Sequence, residues 1–487
     1  MKHEWSSRLT FILAAVGSAV GLGNIWKFPY ITGEYGGGVF IFAYLICIFL
    51  IGLPIMLSEI ALGRRGQRSP VNTMLQLSLE AGAHPAWSLL GWSGMAAGCL
   101  ILSYYSVIAG EVMAYSFRAS SGVFNHQTAD GIKGIYTSLV SDPEKLLAWH
   151  TIFMALTVLA VARGVKGGLE KTVTFLMPAL FVLLIVLVGY AMNSGGFEQA
   201  IDFMFTPDAD KFFYARNDLG EYLMGAEGEK IFTWKPMMVA MGHAFFTLSL
   251  GMGAIMMYGS YLNRHVSIGQ MALIIVSLDT VVALLAGLAI FPLVFANGLN
   301  PAAGPGLIFE TLPIAFGNMA GGAFIGTLFF VLLFFAALSS AISLIEPTVA
   351  WLHESRGLRR IKATVWTGLI VWFIGLASIF SFSGTTLQDI FQTLFNWLGY
   401  EFFELNHNFF KYNLFKIIDF FTASIMLPLG GLFIAIFAGW IMEQDSTERE
   451  FSFHNRYIYP VWQIMIRYVS PFLVLMVFLN IIGIFKF

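Results

Sequence analysis

Few side chains in this sequence could do acid–base or transition-metal chemistry. The nine histidines are scattered, no His-Glu-x-x-His pattern occurs, and Cys47 and Cys99 sit alone in apolar runs. Neither a zinc-hydrolase site nor a disulfide framework can be built from these. Two other arrangements carry more information. Gly17-Ser18-Ala19-Val20-Gly21-Leu22-Gly23-Asn24 and Phe245-Phe246-Thr247-Leu248-Ser249-Leu250-Gly251-Met252-Gly253 each set a Gly-x-Gly in a hydrophobic run beside Asn, Thr or Ser. Glycine permits positive φ and close backbone approach, so each marks an expected break in a helix. A third feature is Asp279, the one charge in the run 266–296; a carboxylate in such a setting is costly and marks function by default. Unwound backbone leaves carbonyls and amides that hydrocarbon cannot satisfy. Carbonyl and hydroxyl oxygens suit a hard cation such as Na⁺, and half-helix N-termini suit a carboxylate. An amino acid zwitterion with accompanying cations fits both.

The elements that must position these groups follow from composition. Of 487 residues, 57% are apolar and 11% charged, 47 are Phe, and the mean hydropathy is +0.74. A soluble domain carries about a quarter of its residues charged, so a cytosolic enzyme is excluded. A net charge of −2 offers no footprint for nucleic acid. Runs long enough to cross a bilayer at about 20 residues each recur, and eleven spans are expected: 9–34, 37–63, 86–117, 146–163, 169–192, 232–263, 266–296, 320–353, 361–381, 416–442 and 458–485. Their length and lack of alternation exclude a β-barrel. The first carries Asn24 and Lys27 and lacks a cleavage site, so it is not a signal peptide. With the N-terminus inside, 16 of the 27 Lys and Arg fall in short inner loops, which favours a cytoplasmic N-terminus and an extracytoplasmic C-terminus in the cell membrane. The two Gly-x-Gly segments lie in spans 1 and 6, the first members of two five-helix sets. Either alone would be read as close helix packing. Together they point to inverted repeats with a site at the midplane.

At this point the residues resemble a known family. Trp5-Ser6-Ser7-Arg8, the run from Gly17 to Asn24 followed by Phe28-Pro29, Gly36-Gly37-Gly38, Phe205-Thr206-Pro207-Asp208, Phe246 to Gly251, and Phe335-Ala336-Ala337-Leu338-Ser339-Ser340 resemble the neurotransmitter:sodium symporters. Eleven spans is similar to that family's bacterial amino acid transporters. The resemblance implies an all-α LeuT-type fold with broken helices 1 and 6. Its first repeat would be 1–192, its second 232–442, an extracellular connection 193–231 and an extra C-terminal helix 443–487.

The resemblance also implies roles. One sodium site would use Ala19, Asn24, Thr247 and Asp279 with the substrate carboxylate. A second would use Gly17, Val20, Ala336, Ser339 and Ser340. The substrate carboxylate would meet the amides of Leu22 and Gly23 and the hydroxyl of Tyr105; its ammonium would meet Ala19, Phe246, Thr247 and Ser249. Two other readings stay open: Ser339 and Ser340 could bond back into their own helix, and Tyr105 could be an interface anchor. Monoamine-carrying relatives place an aspartate where Gly21 stands, so here the substrate should bring its own carboxylate. Ile101, Tyr105, Phe246, Met252 and Leu344 would select its side chain. That lining implies hydrophobic L-amino acids, several of them, since methylene discrimination is worth only about 1–3 kcal/mol.

Gates are implied as well. Lys27 and Asp419 would close the outer side over Phe246, with lysine replacing the family's usual arginine and so losing the bidentate fork. Lys2 with Glu354 would close the inner side, Trp5 plugging it beside Tyr261. Gly168 and Pro178 match a Gly-x₉-Pro pattern read as an unwinding point in span 5, with a proline kink as the plainer reading. The chloride positions of relatives read Tyr44, His243, Thr247 and Ala283, and Asp279 would supply the negative charge, so chloride should not be required. A proton-coupled carrier is disfavoured because span 5 has no charge between Lys171 and Glu198. A transport-inactive amino acid sensor could retain every binding residue. The preferred amino acid, the oligomeric state and the role of 387–416 are not legible.

Overall fold

The computed structural model describes residues 5–217, 221–225, 228–302, 304, 306–384, 414–451 and 458–481. Most of the aromatic segment 387–416 therefore lies outside the described residues. Helices dominate. Among the described residues nine are long and apolar enough to cross a membrane: Gly38–Gly66, Pro85–Ser120, Pro143–Ala162, Val165–Ala191, Ile268–Ala296, Gly322–Arg356, Arg360–Phe382, Leu414–Ile441 and Tyr459–Leu479. A tenth crossing is the pair Arg8–Ala19 and Gly23–Glu34, bent by 49°. The remaining position in chain order, span 6, is held by Lys235–Thr247 and Ala254–Ser260 with six irregular residues between them. These elements match the expected spans 1 to 11 in order, and those numbers are kept below.

The spans divide by exposure. Spans 3 and 8 have 83% and 78% of their central windows buried, whereas spans 4, 5, 9 and 11 have between 22% and 39%. The first two form the interior scaffold, packed along one another; the others turn apolar faces outward, with Phe175, Phe373 and Phe472 exposed. In a soluble protein such faces would be aggregation sites; here they are what a lipid-facing surface requires. Span 1 sits inside, against spans 5, 7 and 8 and the second half of span 6.

The breaks have local causes. In span 1 the helix stops at Ala19 and Val20 turns to extended backbone at ψ 101°. In span 6, Ser249, Gly251 and Gly253 all adopt positive φ, at 54°, 78° and 75°. Gly251 is held there by the scaffold: a Cβ on it would lie 2.4 Å from the Leu427 carbonyl oxygen. On the Trp5 side, buried Arg64 clamps three segments. It donates from Nε to Glu450 Oε2 at 2.8 Å, from Nη1 to the Val266 carbonyl at 2.6 Å, and from Nη2 to the Glu450 carbonyl.

Span 2 and the second half of span 6 meet at a seam without side chains, where a Cβ on Gly63 would come within 1.9 Å of the Met256 carbonyl oxygen. Gly63→Ala is expected to destabilise the protein by about 1–3 kcal/mol, the usual cost of overpacking. Gly134→Ala, a helical position with open space around it, should be neutral or slightly stabilising. Thermal unfolding in detergent, followed by tryptophan fluorescence, compares the two.

Candidate functional site

The two breaks face each other, and their orphan backbone groups are met by side chains from spans 1, 2, 3 and 8. Asn24 Oδ1 accepts from the Gly21 amide at 3.1 Å, and Tyr105 Oη accepts from the Leu22 amide at 3.2 Å. Glu59, fully buried in span 2, accepts from the Gly251 amide at 2.7 Å. Ser249 Oγ donates to the Ser18 carbonyl at 2.8 Å, so the hydroxyl expected to meet a substrate ammonium is engaged across the two breaks.

Between the breaks lies a small cavity of about 20 Å³. Every residue expected to touch the substrate lines it: Ala19, Gly21, Leu22, Gly23, Ile101, Tyr105, Phe246, Thr247, Ser249, Met252, Ser340 and Leu344, with Ser18 added. Gly21 is a close-approach position, since a Cβ there would stand 2.6 Å from Ser340 Oγ and 3.0 Å from Tyr105 Oη. The lining combines the backbone and hydroxyls of the two breaks with the apolar side chains of Ile101, Met252 and Leu344. That volume holds about one water, so a larger guest requires Phe246 or the pliable Met252 side chain to shift.

Two oxygen-rich clusters flank the cavity. In the first, buried Asp279 accepts from Asn24 Nδ2 at 2.8 Å, Thr247 Oγ1 at 3.1 Å and Tyr44 Oη at 3.3 Å. In the second, Ser340 Oγ reaches the carbonyls of Gly17, Ser18 and Val20 at 3.3–3.4 Å across the interhelix gap. Ser339 Oγ donates back to the Ala336 carbonyl at 3.0 Å, the in-helix alternative, but a Cβ on Gly17 would be 3.2 Å from its β-carbon. The residues of both expected sodium sites are thus brought together, and their donors are the hard oxygens that alkali cations take. His243, at the chloride position, stacks on Phe28 with centroids 5.8 Å apart and lies 5.3 Å from the Tyr44 ring.

On one side of the cavity Phe246 floors a second space of about 170 Å³, which Lys27 and Asp419 both face. They form no ion pair within 4.0 Å: Lys27 Nζ sits 4.9 Å over the Phe246 ring, and Asp419 accepts from Tyr104 Oη at 3.0 Å. A compact ammonium lacks the fork that would hold a carboxylate at that reach, and it gains a cation–π contact instead.

On the opposite side Trp5 is buried. Its indole donates to the Tyr258 carbonyl at 3.0 Å, its amide donates to the Tyr261 carbonyl at 3.2 Å, and its ring stands edge-on to Tyr258 at 5.4 Å. Lys2 lies outside the described residues. Among the described residues, its expected partner Glu354 accepts from the Ser69 amide at 2.9 Å and from Asn72 Nδ2 at 3.0 Å. A buried ion pair beside Tyr261 was not expected. Glu346, 0% exposed, is bound by Arg360 at 2.5 Å and accepts from Tyr261 Oη at 2.9 Å. Glu170 is a second unforeseen group, accepting from the Ser6 amide at 2.9 Å and from its hydroxyl at 2.6 Å. Gly168 lies in the wide turn Val165–Glu170, and span 5 runs unbroken through Pro178. The signal for Glu59, Glu111 and Glu346 was present: each is a carboxylate in an apolar helix, the criterion that singles out Asp279.

The model of the sodium:neurotransmitter symporter family matches residues 2–130 and 137–487. An uncharacterized sodium-dependent transporter of Bacillus subtilis, YhdH, is 34% identical over 99% of this chain and 98% of its own length. A sodium-dependent nutrient amino acid transporter 1 of Drosophila ananassae is 25% identical over 78% of this chain and 67% of its own. Among solved structures, MhsT in complex with L-phenylalanine superposes with a TM-score of 0.83 at 38% identity, covering 99% of this chain and all of that one.

The contacts of Trp5 predict its role as a plug. In a chain with both native cysteines replaced by alanine and carrying Ser260→Cys, Trp5→Ala is expected to raise labelling by a water-soluble methanethiosulfonate about tenfold. That matches the loss of the indole hydrogen bond to Tyr258, worth about 0.5–1.5 kcal/mol. An unchanged labelling rate would show that the seal lies elsewhere.

Proposed function

Because the chain belongs to the sodium:neurotransmitter symporter family, a family of sodium-coupled multi-pass membrane transporters with an all-α LeuT-type fold, we propose that it imports hydrophobic L-amino acids by alternating access. One observation carries the reading: a cavity between two broken helices whose lining joins polar backbone and hydroxyls with apolar side chains and has no acid at Gly21. A substrate carboxylate would join Tyr105 Oη at the Leu22 amide and offer an oxygen to the cation beside Asn24, Thr247 and Asp279. Ile101, Met252 and Leu344 take an aliphatic or aromatic side chain, as the phenylalanine bound by MhsT also supports. The second cation, held by Gly17, Val20, Ala336, Ser339 and Ser340, would tie span 1 to span 8 and so set the tilt of one helix group against the other.

In this reading the N-terminus is cytoplasmic, Phe246 with Lys27 and Asp419 forms the outer gate, and Trp5 with Tyr261 and Glu354 the inner one. Inward opening would frees Trp5 and unwind span 5 between Gly168 and Pro178, while 1–192 and 232–442 act as the two repeats. Two Na⁺ per zwitterion would supply ample drive. At about 100 mV each charge contributes about 2.3 kcal/mol, and a tenfold Na⁺ gradient adds about 1.4 kcal/mol per ion, together enough for roughly 10⁵-fold accumulation.

Radiolabelled uptake into proteoliposomes tests this directly. Leucine, phenylalanine and similar amino acids should accumulate only with an inward Na⁺ gradient. Binding without accumulation, or uptake driven by pH in sodium-free vesicles, would overturn the proposal. Gly21→Ala, whose new methyl would press on Ser340 and Tyr105, is expected to weaken apparent substrate affinity by about tenfold or more, at about 1.4 kcal/mol per factor of ten.

Chloride gives a second test. With Asp279 supplying the negative charge beside Tyr44 and Thr247, replacing chloride by gluconate should leave uptake unchanged. Asp279→Asn should lower chloride-free uptake by about tenfold and recover part of it when chloride is restored.

A further inference from the structure

An apolar space lies apart from the cavity between the two breaks. A cavity of about 340 Å³ lies between span 2, the first half of span 6 and span 11. It falls at the low end of the roughly 300–1,000 Å³ typical of small-molecule pockets, but it lacks the convergent polar groups such pockets use. Leu50, Met237, Met241 and Met476 are among its walls, and no charged, hydroxyl or amide side chain lines it.

Its position and shape identify what it can hold. Trp234 stands at one end, beside the start of span 6, and is 41% exposed, as an interfacial anchor would be. From Trp234 the lining on span 6 continues to Met241, seven residues or about 10 Å along the helix at 1.5 Å per residue. The cavity therefore extends inward from the end of span 6 that carries Trp234, as the upper part of a lipid tail would. Its mouth opens on the lipid-facing surface, because Met476 on its wall is 43% exposed and neighbouring Phe42, Phe49 and Phe472 are 65%, 43% and 62% exposed. Lys235, exposed and next to Trp234, puts a cation at headgroup level. Unbranched, polarisable methionines let the wall follow a chain of variable shape.

We propose that this cavity is a binding site for one acyl chain of a phospholipid, drawn from the leaflet on the Trp234 side. Occupancy would bear on transport, since Met237 and Met241 belong to the same half-helix as Phe246 and Thr247. A lipid tail that fills the space supports that half-helix from behind, on the face opposite the substrate cavity.

The test uses the full chain in vesicles containing phosphatidylglycerol with a diazirine near the end of one acyl chain. After illumination, adducts are mapped by peptide mass spectrometry. Labelling of 46–51, 237–241 and 473–477 is expected to exceed, severalfold per residue, that of the equally lipid-facing Ile370 and Phe373 on span 9. Leu50→Trp, which fills the cavity, should reduce it to the span 9 level, whereas Phe373→Trp should leave it unchanged. Adducts distributed by exposure alone in the unsubstituted protein would overturn the proposal without any variant being made. So would labelling by a diazirine fatty acid but not by the phospholipid.

Discussion

A helix that stops inside hydrocarbon leaves amides and carbonyls with no water to turn to, and the architecture is organised around two such stops. Each orphan group needs a donor or acceptor from another helix, so the breaks in spans 1 and 6 draw in Asn24, Tyr105, Glu59, Ser249 and Ser340. These contacts fix where spans 2, 3 and 8 must lie. They also leave some oxygens bonded only weakly, at 3.3–3.4 Å around Ser340, which suits groups that must exchange partners with a cation. The same constraint therefore accounts for both the rigid scaffold and the adaptable site at its centre.

Charge follows a related economy. Buried ionised groups are expensive unless paired or hydrogen-bonded, and most of those described here meet that condition. Asp279 has three donors and Glu346 has an arginine and a tyrosine. Glu59 caps a broken helix, and Arg64 is spent on a carboxylate and two carbonyls. Such pairings specify geometry more than they add stability, which suits a protein whose conformations must differ little in free energy.

Much of this was legible before any coordinates. Span order and bounds follow from apolar length, and the substrate cavity from two Gly-x-Gly breaks beside small polar residues. What escaped was pairing. Glu111 and Glu346 lie inside the expected spans 86–117 and 320–353, whose helices run to Ser120 and Arg356, but apolar length assigns a carboxylate no partner. Arg360 reaches Glu346 because the chain reverses at Gly357, where φ is 63°; nothing in the spacing alone announces that. Lys27 shows the same gap, because a sequence lists its charge but not whether an aromatic face or a carboxylate will be nearer.

The turn Val165–Glu170 does two things at once. It contains Gly168, where the start of span 5 packs so tightly that a Cβ would meet the Ala160 carbonyl oxygen at 2.0 Å, and it ends in Glu170, which grips Ser6. A motion that loosens the head of span 5 would therefore also draw Glu170 away from Ser6, leaving the N-terminal segment the bonds of Trp5 to Tyr258 and Tyr261.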